Sequence, residues 1–332
     1  MNLQHRIELL EKLGKYILSD NVDWKAIKEK AARENSWFIP EFIDLASDAI
    51  ATSFLDTAAL NEVAEKYGLA TAPNQPKTVG VVMAGNIPLV GFHDFLVVFL
   101  SGHRQVIKSS SRDAVLIRHL VETLIEWDPA VSQWVSFAEM LKGCDAYIAT
   151  GSNNTSRYFE QYFGKYPHVI RRNRTSVAIL DGNESRHDLE RLASDVYQYF
   201  GLGCRNVTKV FVPTGYDFVP LLEAFKKYNY LVDFHKYKNN YDYQLAVLII
   251  NKLFYMTNGS IVLHESTLPF SPISQLNYEF YDNREKVADS LRNNSDIQAV
   301  VGNGYLPFGE GQRPRLLDFA DGTDTLKFLR NL

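Results

Sequence analysis

From Leu9 to Tyr67 the apolar positions recur with a helical period: Leu9, Leu10, Leu13, Tyr16 and Ile17, then Phe42, Leu45, Ile50 and Leu55, then Leu60, Val63 and Tyr67. This spacing predicts helices with one buried face. The first is amphipathic, because charges interrupt every apolar stretch of MNLQHRIELLEKLGKYILSD. Two prolines in TAPNQPK, residues 71–77, end the pattern and predict a linker. Short β-rich runs then alternate with helical segments. They are TVGVVMA from Thr78, RQVIK from Arg104 and AYIAT over 146–150, the last following a helix encoded by SSSRDAVLIRHLVETLIEW with a serine at or near its N-cap. Such alternation predicts an α/β fold with a mostly parallel sheet, helices on both faces, and ligands held at the carboxyl ends of the strands. Three strand-to-helix junctions qualify: AGNIP at 84–88, KSSS at 108–111 and TGSNNTS at 150–156.

A second unit begins near SVAILDGNESRHDLERLASDVYQYFGLGC, one strand followed by one helix. Leu189, Leu192, Ala193, Val196, Tyr197 and Phe200 share a helical face, and Gly201 is the expected stop, since glycine accepts the left-handed conformation found past helix ends. Cys204 then falls in the connection to the strand VTKVFV. Residues 226–243 mix aromatics with lysines, a texture that can stack on nucleic acid. The interspersed acids favour a solvated face or a subunit contact instead.

At 332 residues the chain is long enough for two domains, and 46% apolar with 22% charged residues is ordinary for a soluble globular protein. The net charge of −4 gives no general attraction to nucleic acid or to an anionic membrane. The most apolar window, IPLVGFHDFLVVFLSG, is interrupted by His93 and Asp94 and is shorter than the roughly 20 residues that span a bilayer. The N-terminal stretch lacks the continuous apolar segment of a secretory signal. Two cysteines make no disulfide framework, and no Cys or His spacing matches a zinc site, so the expectation is a cytoplasmic protein without a metal.

Cys204 sits between Gly201, Gly203 and Arg205. A cation and access to water favour the thiolate, and the glycines let a substrate carbonyl approach the backbone, whose N–H groups can meet an oxyanion. The same residue also reads as a small side chain at a crowded turn. Local chemistry leaves both readings open. For Cys144, in LKGCDAYIA, the structural reading is the stronger.

Read together and in order, these segments resemble the aldehyde dehydrogenase superfamily, and within it the acyl-CoA reductase family of the bacterial luminescence fatty acid reductase. The resemblance runs from about residue 77 to the C-terminus. In GLGCRNVTKVFVP, Cys204 matches the catalytic cysteine, with Leu202 where the superfamily has glutamine. VGVVMAGNIPLVG matches the loop whose asparagine, here Asn86, helps form the oxyanion hole. QVIKSSSRD matches the strand whose lysine, here Lys108, contacts the cofactor's adenosine ribose. IATGSNNTSR matches the Thr-Gly-Ser turn at the cofactor diphosphate, here Thr150, Gly151 and Ser152. LPFGEGQRP resembles a Pro-Phe-Gly segment near the end of superfamily members, and LLDFADGTDTLKFL resembles the acyl-CoA reductase branch.

The resemblance implies an aldehyde dehydrogenase-like α/β fold. Residues 1–76 would be helices packed on a Rossmann-like cofactor domain at 77–175, with a catalytic cysteine domain at 176–300 and a C-terminal segment at 301–332. It further implies NADPH or NADH as cofactor, an acyl-CoA or other acyl thioester as substrate, and a homodimer. Arg205, beside the nucleophile, is a candidate for contacting CoA. Two departures set the direction of the chemistry. HVIRRNRTSVAIL has no carboxylate where hydrolytic members keep the glutamate that activates water, so the expected reaction runs from thioester to aldehyde rather than from aldehyde to acid. No Glu-x-Phe-Gly-Pro segment is found to anchor the second ribose. A cofactor-independent cysteine acyltransferase or thioesterase is the alternative, with His168, His187 and His264 as base candidates only through their position in the second half. A binding protein that has lost the chemistry is the other.

Overall fold

The computed structural model describes residues 1–71, 73 and 75–332; Ala72 and Asn74, inside the predicted linker, lie outside the described residues. The chain divides into two compact units, Met1–Asn173 with Pro314–Leu332, and Arg174–Arg313.

The first unit opens with four helices, α1 (Leu3–Ile17), α2 (Val22–Glu34), α3 (Pro40–Ala49) and α4 (Thr57–Lys66). Asn2, Asn21 and Asp56 cap α1, α2 and α4 through their side chains, and α3 starts at a proline, which loses no hydrogen bond there. Leu10, Leu13, Trp24, Phe42 and Leu60 are buried, as the helical period requires. The sheet that follows contains β1 (Thr78–Val82), β2 (Arg104–Lys108), β3 (Val135–Phe137), β4 (Ala146–Thr150) and β5 (His168–Arg171), all parallel in the order β3-β2-β1-β4-β5. Helices α5 (Phe92–Ser101), α6 (Ala114–Trp127) and α7 (Asn153–Phe163) connect the strands.

Helix α5 explains the apolar window of the sequence: every residue but His93 is buried. Its Asp94 is tolerated because Arg171, at the end of β5, grips both carboxylate oxygens at 2.6 and 2.7 Å and donates to the Thr325 hydroxyl at 2.7 Å. A buried charge is retained only when paired in this way. The N-cap of α6 is Asp113, with Ser111 near it, two positions earlier. Asp113 N–H closes a tight turn onto the Ser110 carbonyl at 3.1 Å before the helix starts.

The second unit holds a six-stranded sheet: β6 (Thr175–Ile179), β7 (Val207–Pro213), β8 (Met256–Thr257), β9 (Val262–Glu265), β10 (Gln275–Tyr281) and β11 (Ile297–Gly302), in the order β11-β6-β7-β10-β9-β8. Only the edge strand β8 runs antiparallel to its neighbour. Helix α8 (Arg186–Tyr197) links β6 to β7; α9 (Val219–Phe225), α10 (His235–Ile250) and α11 (Arg284–Arg292) follow, and α12 (Thr325–Arg330) belongs to the first unit. A capping box between Ser185 and Asp188 starts α8, which buries Leu189, Leu192, Ala193, Val196 and Tyr197.

One expectation needs correction here, and one is refined. Helix α8 stops at Tyr197, not Gly201: Gln198 is extended, and Tyr199 and Phe200 then join Gly201 at positive φ. The segment 226–243 presents both faces: Tyr230 and Tyr243 are exposed with the lysines and acids of the expected solvated face, while the other side enters the core. Tyr228, Leu231, Tyr237 and Tyr241 are buried, Tyr237 donates to the Ser260 carbonyl at 2.9 Å, and Phe200 packs against Phe234 and Tyr237. That burial is what holds Phe200 in a backbone region bulky residues avoid. No helix among the described residues is long and apolar enough to cross a membrane.

Candidate active site

In the first unit, Lys108, Thr150 and the loop 83–91 leave one edge of the sheet together. β1 pairs Val82 with Lys108 on one side and with Ala149 on the other, and Met83 N–H continues the ladder to the Lys108 carbonyl at 3.0 Å. The strand order reverses at this point, with β2 and β3 to one side of β1 and β4 and β5 to the other. Open parallel sheets leave a ligand crevice where the order reverses. Asn86 is half-buried in the loop, and Lys108 is exposed at its strand end. A Cβ on Gly85 would stand 2.6 Å from the Ser110 Oγ and 2.7 Å from its Cβ, so only glycine lets the Asn86 loop lie against the turn that follows Lys108.

Thr150 is half-buried, and Gly151 N–H donates to the Arg171 carbonyl at 3.3 Å. Ser152 is the N-cap of α7: its Oγ accepts the Thr155 N–H at 3.3 Å and lies 2.9 Å from the Thr155 Oγ1. The cap leaves the positive end of the α7 dipole at the same sheet edge as Lys108, a donor set of ammonium, hydroxyls and helix N-terminus that suits a dinucleotide phosphate. Asn86, Lys108, Thr150, Gly151 and Ser152 therefore belong to one edge of one unit. Cys204 and Arg205 belong to the other.

The cysteine loop is built differently. Cys204 and Arg205 are the central residues of a tight turn closed by Asn206 N–H to the Gly203 carbonyl at 3.1 Å, just before β7. Asn206 is fully buried, and its side chain organises the whole corner. The Oδ1 accepts Gly203 N–H at 2.8 Å, while the Nδ2 donates to the carbonyls of Asp195, Val196 and Gln198 at 3.0, 3.3 and 2.8 Å. These are the carbonyls that the end of α8 leaves without helical partners. Ser176 Oγ on β6 donates to the Cys204 carbonyl at 3.1 Å, and Ser176 N–H reaches the Asn206 carbonyl at 3.0 Å. Cys204 itself is half-buried, whereas Cys144 is buried, and burial pushes the Cys144 thiol above its ordinary range. Neither cysteine forms a disulfide.

Asp195 is the second residue that sequence reasoning missed. It accepts Gly309 N–H at 2.6 Å and Gly311 N–H at 2.9 Å, tying the LPFGEGQRP segment to α8, and a Cβ on Gly311 would stand 3.4 Å from the Arg205 carbonyl. Burial pushes its carboxyl up to about 7, with the two N–H groups pulling it back. The signal was present: an acid inside the LASDVY stretch, beside the apolar face of the helix. Nothing comparable marks Asn206. Of the histidines named as base candidates, His264 Nδ1 pairs with the Phe254 carbonyl at 3.2 Å, His168 Nδ1 with the Tyr166 carbonyl at 2.8 Å, and His187 is exposed on the first turn of α8.

A family model described as acyl-CoA reductase (LuxC) matches residues 65–221. The resemblance to the acyl-CoA reductases holds. No curated protein sequence matches the chain. Among solved structures, an aldehyde dehydrogenase from Mycobacterium tuberculosis complexed with NAD+ superposes with a TM-score of 0.66 at 15% identity, covering 91% of this chain and 73% of that one. The NAD+ complex of aldehyde dehydrogenase from Bacillus cereus gives 0.65 at 14% identity, over 91% and 72%. Aldehyde dehydrogenase 21 from Physcomitrella patens, in complex with succinate, gives 0.64 at 12% identity, over 91% and 74%. The fold is that of the aldehyde dehydrogenases, and the family match with that fold supports an aldehyde-related oxidoreductase.

Proposed function

We propose that the protein is an acyl-CoA reductase that converts an acyl thioester to an aldehyde with NADPH or NADH. One observation carries this reading: the acyl-CoA reductase match over 65–221 spans Asn86, Lys108, Thr150, Gly151, Ser152, Cys204 and Arg205. In this reading the first unit is the cofactor-binding unit and the second carries the nucleophile.

Cys204, as thiolate, attacks the thioester carbonyl; the tetrahedral adduct expels the CoA thiolate, which takes a proton from solvent, and leaves an acyl group on Cys204. The Asn86 carboxamide and the Cys204 backbone N–H carry the charge that develops on the carbonyl oxygen. Asn206 and Ser176 hold the turn so that this backbone does not reorganise during the attack. Lys108 and the Thr150–Ser152 turn hold the cofactor at the ribose and diphosphate, where the exposed ammonium and the helix N-terminus suit it. When bound, the cofactor supplies the hydride that reduces the acyl carbon. The resulting thiohemiacetal collapses, releasing aldehyde and restoring the Cys204 thiolate. Arg205 meets the CoA moiety. Because HVIRRNRTSVAIL commits Arg171 to Asp94 and offers no carboxylate base, hydrolysis of the acyl-enzyme is left unassisted.

Incubation with NADPH or NADH and a panel of acyl-CoAs, read by cofactor absorbance and aldehyde release, tests the proposal. Wild type should consume cofactor in step with aldehyde, and Cys204→Ala should lose at least about 10³-fold of that rate. Equal rates for the two would sink the assignment. Acyl transfer to Cys204 without cofactor oxidation would point to an acyltransferase.

A further inference from the structure

Asn86 is the residue proposed to meet the oxyanion, and it sits in the loop that leaves the sheet after Met83. Three residues on, Leu89 takes φ +56, a left-handed conformation that a non-glycine residue avoids. Leu89 is also buried, so this conformation cannot be relaxed by swinging the side chain into solvent. Phe92 N–H closes the turn onto the Leu89 carbonyl at 2.9 Å, and the Leu89 N–H needs a partner of its own.

Asp113 provides that partner. Its Oδ2 accepts the Leu89 N–H at 2.7 Å. Asp113 occupies the N-cap of α6, where an aspartate ordinarily accepts an N–H of its own helix, but its side chain makes no such bond. The local interaction is given up for a distant one. The Asp113 backbone is itself fixed from behind: Asp113 N–H donates to the Ser110 carbonyl at 3.1 Å, and the Asn35 side chain, at the end of α2, donates to the Arg112 carbonyl at 3.1 Å. Gly85, one residue before Asn86, is packed against Ser110 of the same turn. Asn86 is thus bracketed by two attachments to the turn 110–113, which begins two residues after Lys108.

We infer that Asp113 is a positioning residue, which holds Leu89 in its left-handed turn and thereby sets the Asn86 carboxamide relative to Lys108. The inference rests on the proposed role of Asn86. Asp113 Oδ1 is buried with no hydrogen-bond partner among the described residues, and burial pushes the carboxyl well above the ordinary carboxylate range. An unpaired buried oxygen of this kind is far cheaper as part of a neutral carboxylic acid than as part of a carboxylate. An amide of the same shape therefore keeps the feature that matters, one oxygen facing the Leu89 N–H.

The test uses Asp113→Ala and Asp113→Asn in the full chain, with two readouts: steady-state reduction of an acyl-CoA, and hydrogen–deuterium exchange of peptides covering 84–92. Asp113→Ala should lower kcat about 10- to 100-fold with KM for acyl-CoA nearly unchanged, because a misplaced oxyanion donor acts on the transition state. It should also speed exchange at the Leu89 amide. Asp113→Asn should recover most of both. Wild-type kcat and exchange in Asp113→Ala would overturn the inference, and so would Asp113→Asn failing as badly as Asp113→Ala in both readouts. Should wild type make no aldehyde from any acyl-CoA, the proposed function fails, while the exchange pattern still decides whether Asp113 holds the loop.

Discussion

The two regions that carry the candidate chemistry are built on opposite plans. At the edge of the first sheet, side chains leave the carboxyl ends of adjacent parallel strands, and their separation follows from strand pairing: Val82 beside Lys108, Tyr147 to Thr150 beside β5. The cysteine loop lies at the amino end of β7, where Ser176 of the neighbouring strand holds the Cys204 and Asn206 carbonyls. Its shape comes from a left-handed stretch at 199–201 and from one buried amide, Asn206, that ties the end of α8 to the turn. A surface for a cofactor tolerates local variation because many weak contacts share the binding. The proposed nucleophile would have to be placed to within a fraction of an ångström, and its loop is locked by buried hydrogen bonds.

That contrast predicts unequal responses to substitution. Asn206→Ala should show the largest effect: four hydrogen bonds vanish from a fully buried site, stranding the Gly203 N–H and three carbonyls, and each buried group left unsatisfied costs about 1–3 kcal/mol. Thermal melting should show the loss of stability, and in the protein that remains folded kcat should fall about 100-fold. A variant with normal kcat would mean that the turn does not depend on this lock.

Lys108→Ala should act more gently and on a different parameter. Loss of one exposed cation at the strand end should weaken cofactor binding about 10-fold, measured by quenching of protein fluorescence on titration with NADPH or NADH, and leave the melting temperature unchanged. A stability loss comparable with that of Asn206→Ala would erase the distinction between the two regions.

The smallest effect concerns Asp195. Its carboxyl titrates near 7 in the fold against 3.8 when exposed, so the folded chain holds a proton that the unfolded chain has released. The stabilisation from that proton is complete below about pH 4 and is lost as the pH rises through about 7. Arg191 and Glu310 are the charged groups that act on it. The melting temperature should therefore fall between pH 5 and pH 8 by a margin that Asp195→Asn removes. Asp195→Asn should also be less stable at every pH, since an amide offers one acceptor to the N–H groups of Gly309 and Gly311 where the carboxyl offers two. An unaltered pH slope in Asp195→Asn would place the titration elsewhere.

Much of the fold was legible because it follows from period and punctuation. The helical face of α8, the strands at 78, 104 and 146, and the helices from Leu9 to Tyr67 all appear where apolar spacing puts them. The end of α8 was misread because glycine is only the local stop signal. Asn206, nine residues past Tyr197, competes for the last carbonyls and ends the helix four residues early. In 226–243 the charge pattern describes the exposed side, which is there, but it is silent about Tyr228 and Tyr237, which are fixed by partners far along the chain, Ser194 and Ser260.

By itself the sequence determined the α/β class, the order of the elements, the candidate nucleophile and the resemblance that names its chemistry, because these depend on periodicity and short motifs that each strand or helix carries alone. Only the tertiary structure decided which residues hold that chemistry in place. Asp113 and Asp195 accept from backbone 24 and 114 to 116 residues away, and Asn206 donates to the Asp195 carbonyl 11 residues back. A hydrogen bond across such separations exists only once the packing of helices and strands has brought the two groups within about 3 Å, and no local pattern records it.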